Sequence, residues 1–240
     1  MIFPCPIFIS LNTTMKYIVF GTGRTGSLLL TSIMAPDDSG VPADYQLFGG
    51  VINGVSRIEP SKEMLDQTLK DFQNIVLHTH FIDEMVERLG IDPSEWILVI
   101  SNRKNRFEQL MSYCVTAVTD EYHPYTDRQI DPFVVDVKEF SRDYRACRAW
   151  PFAYNENIVE NKWMNMPWKS KIKIDFEDLV SHEDKVQFVA DQLGLPKPDN
   201  YEYEVTQPSP RKYKDYVLNW EELYNISLEI DKEISNDRNN

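Results

Sequence analysis

Three cysteines in 240 residues are too few, too widely spaced and odd in number to form a disulfide framework. Cys5, Cys114 and Cys147 read as reduced thiols, which points to a cytoplasmic setting. Basic residues are also short: 25 Lys and Arg stand against 38 Asp and Glu, for a net charge of −13. Phosphate backbones bind basic faces, so nucleic acid is not expected as a partner. A small anion is not excluded, because one local cluster of Arg and backbone N–H groups is enough to hold it. Long apolar runs are missing too. Met1 to Leu11 (MIFPCPIFISL) carries two prolines and no Lys or Arg. It is too short to cross a bilayer and lacks the basic flank of a signal peptide. Residues 1–14 therefore read as an extension ahead of Met15, and no membrane span is expected.

What remains is ordinary in bulk. The chain is 42% hydrophobic, normal for a globular protein, and its length suits one domain. That domain is expected over residues 15–230, with the polar residues 231–240 fraying. Glycine is scarce, nine in all, yet three of the nine fall at 21, 23 and 26. There Lys16 to Met34 reads KYIVFGTGRTGSLLLTSIM. Tyr17 to Phe20 is a buried strand by its apolar, β-branched and aromatic content. Gly21, Gly23 and Gly26 punctuate a tight turn, and Ser27 to Met34 forms a helix with a wide apolar face. Strand, glycine turn and helix together present backbone N–H groups to an anion. The plain alternative is a βα turn whose glycines serve close packing.

Three kinds of site share such a turn. The G-x-G-x-x-G dinucleotide fingerprint wants a second strand ending in an acid about 20 residues on. Ala35 to Gln46 is instead a loop rich in Pro, Gly and Asp. A Walker A loop needs Lys and then Ser or Thr after its second glycine, and the chain has Ser27 and Leu28. That argues against ATP or GTP hydrolysis. The third kind carries its cation within the turn, followed by small hydroxyl residues, and Arg24-Thr25-Gly26-Ser27 has that form.

Further strands are expected at Gln46 to Ile52, Asn74 to His80, Trp96 to Ser101 and Lys171 to Phe176. Helices are expected at Ser61 to Phe72, Phe81 to Leu89, Arg103 to Val118 and Ser181 to Leu193. The alternation implies a three-layer α/β/α sandwich around a mostly parallel sheet. Ligands of such sheets sit beyond the carboxyl ends of the strands. Gly21 to Ser27, His78 to His80, Ser101 to Lys104 and Glu177 to Asp178 should meet there.

His78 and His80 lie two apart, on one face of an extended chain. Imidazole titrates near neutral pH, so His80 can serve as a general base, with His78 beside it. A metal pair finds no third ligand nearby, and a solvent-facing His at a strand end is the plain alternative. Arg103, Lys104 and Arg106 oppose the macrodipole of the helix that they open, which an anion would explain. Ser112 falls on roughly the same side as Arg103. The segment 120–168 is rich in aromatics, which suit a sugar or flat acceptor, or else pack as a helical layer. Arg142, Arg145 and Arg148 follow helical spacing as a solvated or salt-bridged face.

In these motifs the chain resembles the sulfotransferases that use 3′-phosphoadenosine 5′-phosphosulfate. Arg24-Thr25-Gly26-Ser27 matches their 5′-phosphosulfate loop. His78-Thr79-His80 is similar to their Lys-Thr-His triplet, with His in place of Lys. Ile100 to Ser112 resembles their 3′-phosphate motif, most closely the bacterial and viral versions with doubled cations, and one residue longer than is usual. Either Arg103 or Lys104 is then the counterpart of the family arginine. Ile174 to Leu195 resembles the Tyr-Glu-Asp-Leu segment and its helix. Arg211-Lys212 resembles the late Arg-Lys-Gly loop, with Tyr213 where Gly is usual.

The resemblance implies a P-loop NTPase-like fold and in-line sulfonate transfer to a hydroxyl or amine without a required metal. It implies catalytic roles for His80, Arg24 and His78. It implies that Gly23, Arg24, Thr25, Gly26, Ser27, Leu28, Arg103, Lys104, Ser112, Arg211 and Lys212 hold the donor and its product, 3′-phosphoadenosine 5′-phosphate. The partner is then a small-molecule or glycan acceptor, in the cytoplasm (that of the host for a viral chain), and a homodimer is compatible with this. The runners-up are a nucleotide kinase-like phosphotransferase and a catalytically inactive nucleotide-binding module.

Overall fold

The computed structural model describes residues 15–21, 25–34, 45–46, 61–71, 74–79, 82–119, 131–149, 165–195 and 213–237. Strand β1 (Met15–Gly21) leads into helix α1 (Ser27–Met34). The two-residue β2 (Tyr45–Gln46), helix α2 (Lys62–Asp71), β3 (Asn74–Thr79) and α3 (Ile82–Leu89) follow. A 3₁₀ turn at Pro93–Glu95 precedes β4 (Ile97–Asn102), α4 (Arg106–Thr119) and α5 (Val137–Ala149). The chain ends through β5 (Ser170–Asp175), α6 (Phe176–Ser181), α7 (Lys185–Leu193) and α8 (Trp220–Asp237).

The sheet order is β2-β3-β1-β4-β5, and every pairing is parallel. The continuous apolar runs of β1, β3 and β4 are what a strand covered on both faces requires. Ile18, Phe20, Ile75, Leu77 and Leu98 face one side, where Leu65 of α2 and Ile82, Val86 and Leu89 of α3 cover them. Tyr17, Val19, Val76 and Val99 face the other, under Leu29, Leu30 and Ile33 of α1 and Val186 and Val189 of α7. Helices on both faces make the fold α/β. Ile18 and Leu30 are fully enclosed, and truncating either to Ala would cost about 2–5 kcal/mol.

A third apolar cluster joins α4, α5 and α8 through Phe107, Met111, Phe140, Tyr144, Leu223 and Ile230. Phe140 and Tyr144 are buried and their rings stack, so this part of the aromatic segment is core rather than acceptor surface. Trp168 is likewise buried, against the α2–α3 side of the sheet. Of the arginine series, Arg142 pairs with Asp143 and Arg145 with Glu233, as a salt-bridged face should. Tyr122, Tyr125, Trp150, Phe152, Tyr154 and Trp163 lie outside the described residues, as do Cys5 and the extension 1–14. Cys114 is a free thiol, and burial pushes its pKa up to about 11, with Asp143 adding to the effect. No helix among the described residues is long and apolar enough to cross a membrane.

Expected boundaries shift by a residue at several ends and change most at three places. Helix α4 begins at Arg106, not Arg103, because Asn105 caps it: the Asn105 Oδ1 accepts from the Glu108 N–H at 3.0 Å. The expected helix from Ser181 to Leu193 is two helices. The first, α6, already contains Phe176, which was assigned to β5, and Asp184 then caps α7 by accepting from the Gln187 N–H at 2.9 Å. The tail expected to fray from residue 231 is helical through Asp237. Ile234 packs on the third cluster, and Asp231 accepts from the Tyr144 hydroxyl at 3.3 Å.

Candidate anion-binding site

The parallel register brings the carboxyl ends of β3, β1 and β4 side by side. Val19 lies opposite His78, and Gly21 opposite Ser101. The turn after β1 is tied to both neighbours. Ser101 Oγ donates to the Thr25 carbonyl at 2.9 Å, and His78 Nε2 lies 2.9 Å from Ser27 Oγ. Thr25, Ser27, His78 and Ser101 are all buried. Ser27 opens α1, and its carbonyl accepts from Thr31 Oγ1 at 2.8 Å.

Two glycines are needed here for definite reasons. A side chain on Gly21 would press on Thr25 Oγ1 and on Ser27 Cβ, 2.8 Å away. Gly26 has φ +79°, and a Cβ there would overlap the ring of Phe176. The packing role of these glycines is thus real.

Phe176 links the two halves of the site. Its ring closes over Gly26, and the Arg103 guanidinium sits 4.9 Å from the ring centroid. Arg103 is buried and is held by Glu108 at 3.1 Å and by Glu177 at 3.9 Å. Lys104 turns the other way. Its ammonium meets both Asp178 oxygens, at 2.9 and 2.8 Å, and Asp175 at 3.1 Å. Those hydrogen bonds raise its pKa above the ordinary lysine value. The Glu177 carboxylate accepts from the backbone N–H of Lys104 at 2.9 Å and of Asn105 at 3.0 Å, so the chain's own acid sits on these donors. Asn102 completes the corner, donating to Asp175 at 2.6 Å and accepting from Arg106 at 3.2 Å. Burial opposes ionisation of Asp175, but the hydrogen bonds from Asn102 and Lys104 and the charges of Lys104 and Lys173 outweigh it, and the carboxyl is held below its usual value.

Of the residues proposed for the site, Thr25, Gly26, Ser27 and His78 come together, with Arg103 across Phe176. Leu28 lies in the first turn of α1. Ser112 lies further along α4, buried, and its Oγ accepts from the Tyr213 hydroxyl at 3.0 Å. That contact anchors the chain just after Arg211 and Lys212 against α4. Gly23, Arg24, His80, Arg211 and Lys212 themselves lie outside the described residues. Sequence reasoning missed the role of Phe176, which depends on tertiary packing, and the local pairing of Arg103 with Glu108 five residues on. The capping signal Asn105-x-x-Glu108 was present and would have placed Arg103 and Lys104 ahead of the helix.

Comparison with protein-family models, with curated proteins and with solved structures returned no match. The chemistry of the site is therefore read from its own residues.

Proposed function

We propose that the chain is a sulfotransferase that moves a sulfonate from 3′-phosphoadenosine 5′-phosphosulfate to a hydroxyl or amine of a small-molecule or glycan acceptor. The observation that carries this reading is the ring of Phe176, which touches the glycine turn at Gly26 and the Arg103 guanidinium at 4.9 Å. A nucleotide phosphorylated at both ends needs two such corners as neighbours on one sheet edge. A glycine turn after a central parallel strand, with helices on both faces, also suits a P-loop NTPase-like fold.

Residues of both corners fit the donor. Arg24, the N–H groups of Thr25 to Ser27 and the Ser27 hydroxyl would hold the 5′ end. Arg103 would meet the 3′-phosphate with Ser112, Arg211 and Lys212. Both cations are met by acids, and Arg103 is assigned this role because its guanidinium lies against Phe176 beside the glycine turn, whereas Lys104 is turned toward Asp175 and Asp178. The acceptor oxygen attacks sulfur in line. Its bond to sulfur forms as the bond from sulfur to the 5′-phosphate oxygen breaks, and the electron pair leaves with that oxygen. His80 takes the acceptor's proton. Positioning and charge stabilisation carry such a transfer, and a positioned base adds on the order of 10²- to 10⁴-fold.

Calorimetry with 3′-phosphoadenosine 5′-phosphate, ATP–magnesium and NAD tests the reading, followed by transfer of labelled sulfate to carbohydrates, lipids and peptides. Binding of the bisphosphate with labelled transfer supports it. Magnesium-dependent ATP binding in its place would favour a phosphotransferase, and tight bisphosphate binding without transfer an inactive module. His80→Ala should abolish turnover and preserve nucleotide binding; unchanged turnover refutes the role of His80.

A further inference from the structure

His78 does not face open solvent. It is 7% exposed, Ser27 is 4% exposed, and the two are joined at 2.9 Å through Nε2. Ser27 is the first residue of α1, so its hydroxyl stands where a cradle would use it toward an anion. A serine hydroxyl has one proton to donate. When neutral His78 accepts at Nε2, that proton is spent on the imidazole. When Nε2 carries a hydrogen, in the imidazolium or in the neutral Nε2–H tautomer, it donates to Ser27 Oγ and the hydroxyl proton can turn outward; of these two forms only the imidazolium also sets a positive charge beside a bound anion.

We propose that the Ser27–His78 pair is a proton-linked gate on the cradle. A bound anion draws the pair into the form in which His78 is protonated and the Ser27 hydroxyl points at the anion. His78 is then a positioning residue that acts through Ser27. This rests on the sulfotransferase reading only for the identity of the anion.

The surroundings leave His78 as the titrating group among the described residues. From β1 the same face presents Tyr17, in register with Val76, and burial raises its phenol above the ordinary value, so it stays neutral. Helix α1 contains no ionisable residue. In β2, Tyr45 is in register with Leu77, one position away from His78 on the pleat. Lys16 pairs with Glu95 at the far end of β1. Arg24 and His80 are the ionisable residues adjoining in sequence, and both lie outside the described residues. The sign follows from linkage. Anion binding raises the midpoint of His78, so affinity is fullest below the midpoint of the free protein and falls as pH rises through that of the complex.

The test is an NMR titration of the full chain, labelled at its histidine rings, with and without inorganic sulfate, which does not itself titrate near neutral pH. The His78 midpoint should rise by roughly half a unit or more with saturating sulfate, equivalent to an affinity change of about threefold. H78Q should bind sulfate with no pH dependence between about pH 6 and 8, while H80Q keeps that dependence. Bound sulfate with an unmoved His78 midpoint, or a rise confined to His80, overturns the proposal. The wild-type titration decides whether or not H78Q folds. A second arm uses 3′-phosphoadenosine 5′-phosphate. If sulfate moves His78 and the bisphosphate does not bind, the gate stands and the nucleotide reading fails. If neither anion binds, both fall.

Discussion

The two corners of the sheet edge are built on opposite principles. At the corner after β1, Ser27 meets His78 of β3 and the Thr25 carbonyl accepts from Ser101 of β4, and neither of these hydrogen bonds involves a carboxylate. At the β4–β5 corner, Arg103 and Lys104 are already met by Glu108, Asp175, Glu177 and Asp178. An anion entering the first corner meets a hydroxyl and an imidazole rather than a resident acid. One entering the second must displace or share a resident acid, above all Glu177, whose two oxygens occupy the N–H groups of Lys104 and Asn105. On the proposed reading, an acidic chain would hold its anion between a corner built on hydroxyls and an imidazole and a corner whose cations acids already meet.

The largest effect should come from the residue between the corners. Gly26→Ala must take a positive φ and also displace the Phe176 ring. About 1 kcal/mol for the backbone and 1–3 kcal/mol for overpacking predict a loss of about 2–4 kcal/mol in urea unfolding. Gly194→Ala is the control, with φ +66° and nothing within 4 Å of an added Cβ. It should lose only about 1 kcal/mol. Equal losses would mean that Phe176 does not press on the turn. Next in size is the pair of cations. Arg103→Lys keeps the charge but loses the planar fork against Phe176, and should weaken 3′-phosphoadenosine 5′-phosphate binding by about tenfold. Lys104→Met should weaken it by less than about threefold, since neighbouring acids already neutralise that ammonium. The reverse order in calorimetry would make Lys104 the ligand and break the contrast between a guarded cation and a structural one.

Much of this was legible in the chain. The runs Tyr17 to Phe20 and Trp96 to Ser101 could only be strands buried on both faces, and the parallel sheet and the meeting of its strand ends follow from them. Some of what was misread had a local signal: Asn105 and Asp184 each cap a helix in the usual manner, and Ile226, Ile230 and Ile234 repeat at helical spacing inside a polar tail. The remainder had none. Contacts between Gly26 and Phe176, Lys104 and Asp178, and Ser112 and Tyr213 join residues far apart in sequence, and no periodicity announces them. Residue type gave the chemistry of each corner, but only packing reveals which acids already meet each cation.

The smallest effect separates the corners by pH. Asp175 is held below the usual carboxyl value by Asn102 and Lys104. Its contribution to stability is therefore complete above the ordinary carboxylate value, near 3.8, and is lost as pH falls through its lower folded value. Urea unfolding between about pH 5 and 2.5 should show a shallower loss of stability in Asp175→Asn than in the parent chain. Ser27→Ala should leave that acid limb where it is, because the bond it removes joins a hydroxyl to an imidazole and not to a carboxylate. An acid limb that shifts equally in both variants would mean that the corners titrate as one network, and the distinction between a neutral cradle and a charge-locked edge would not hold.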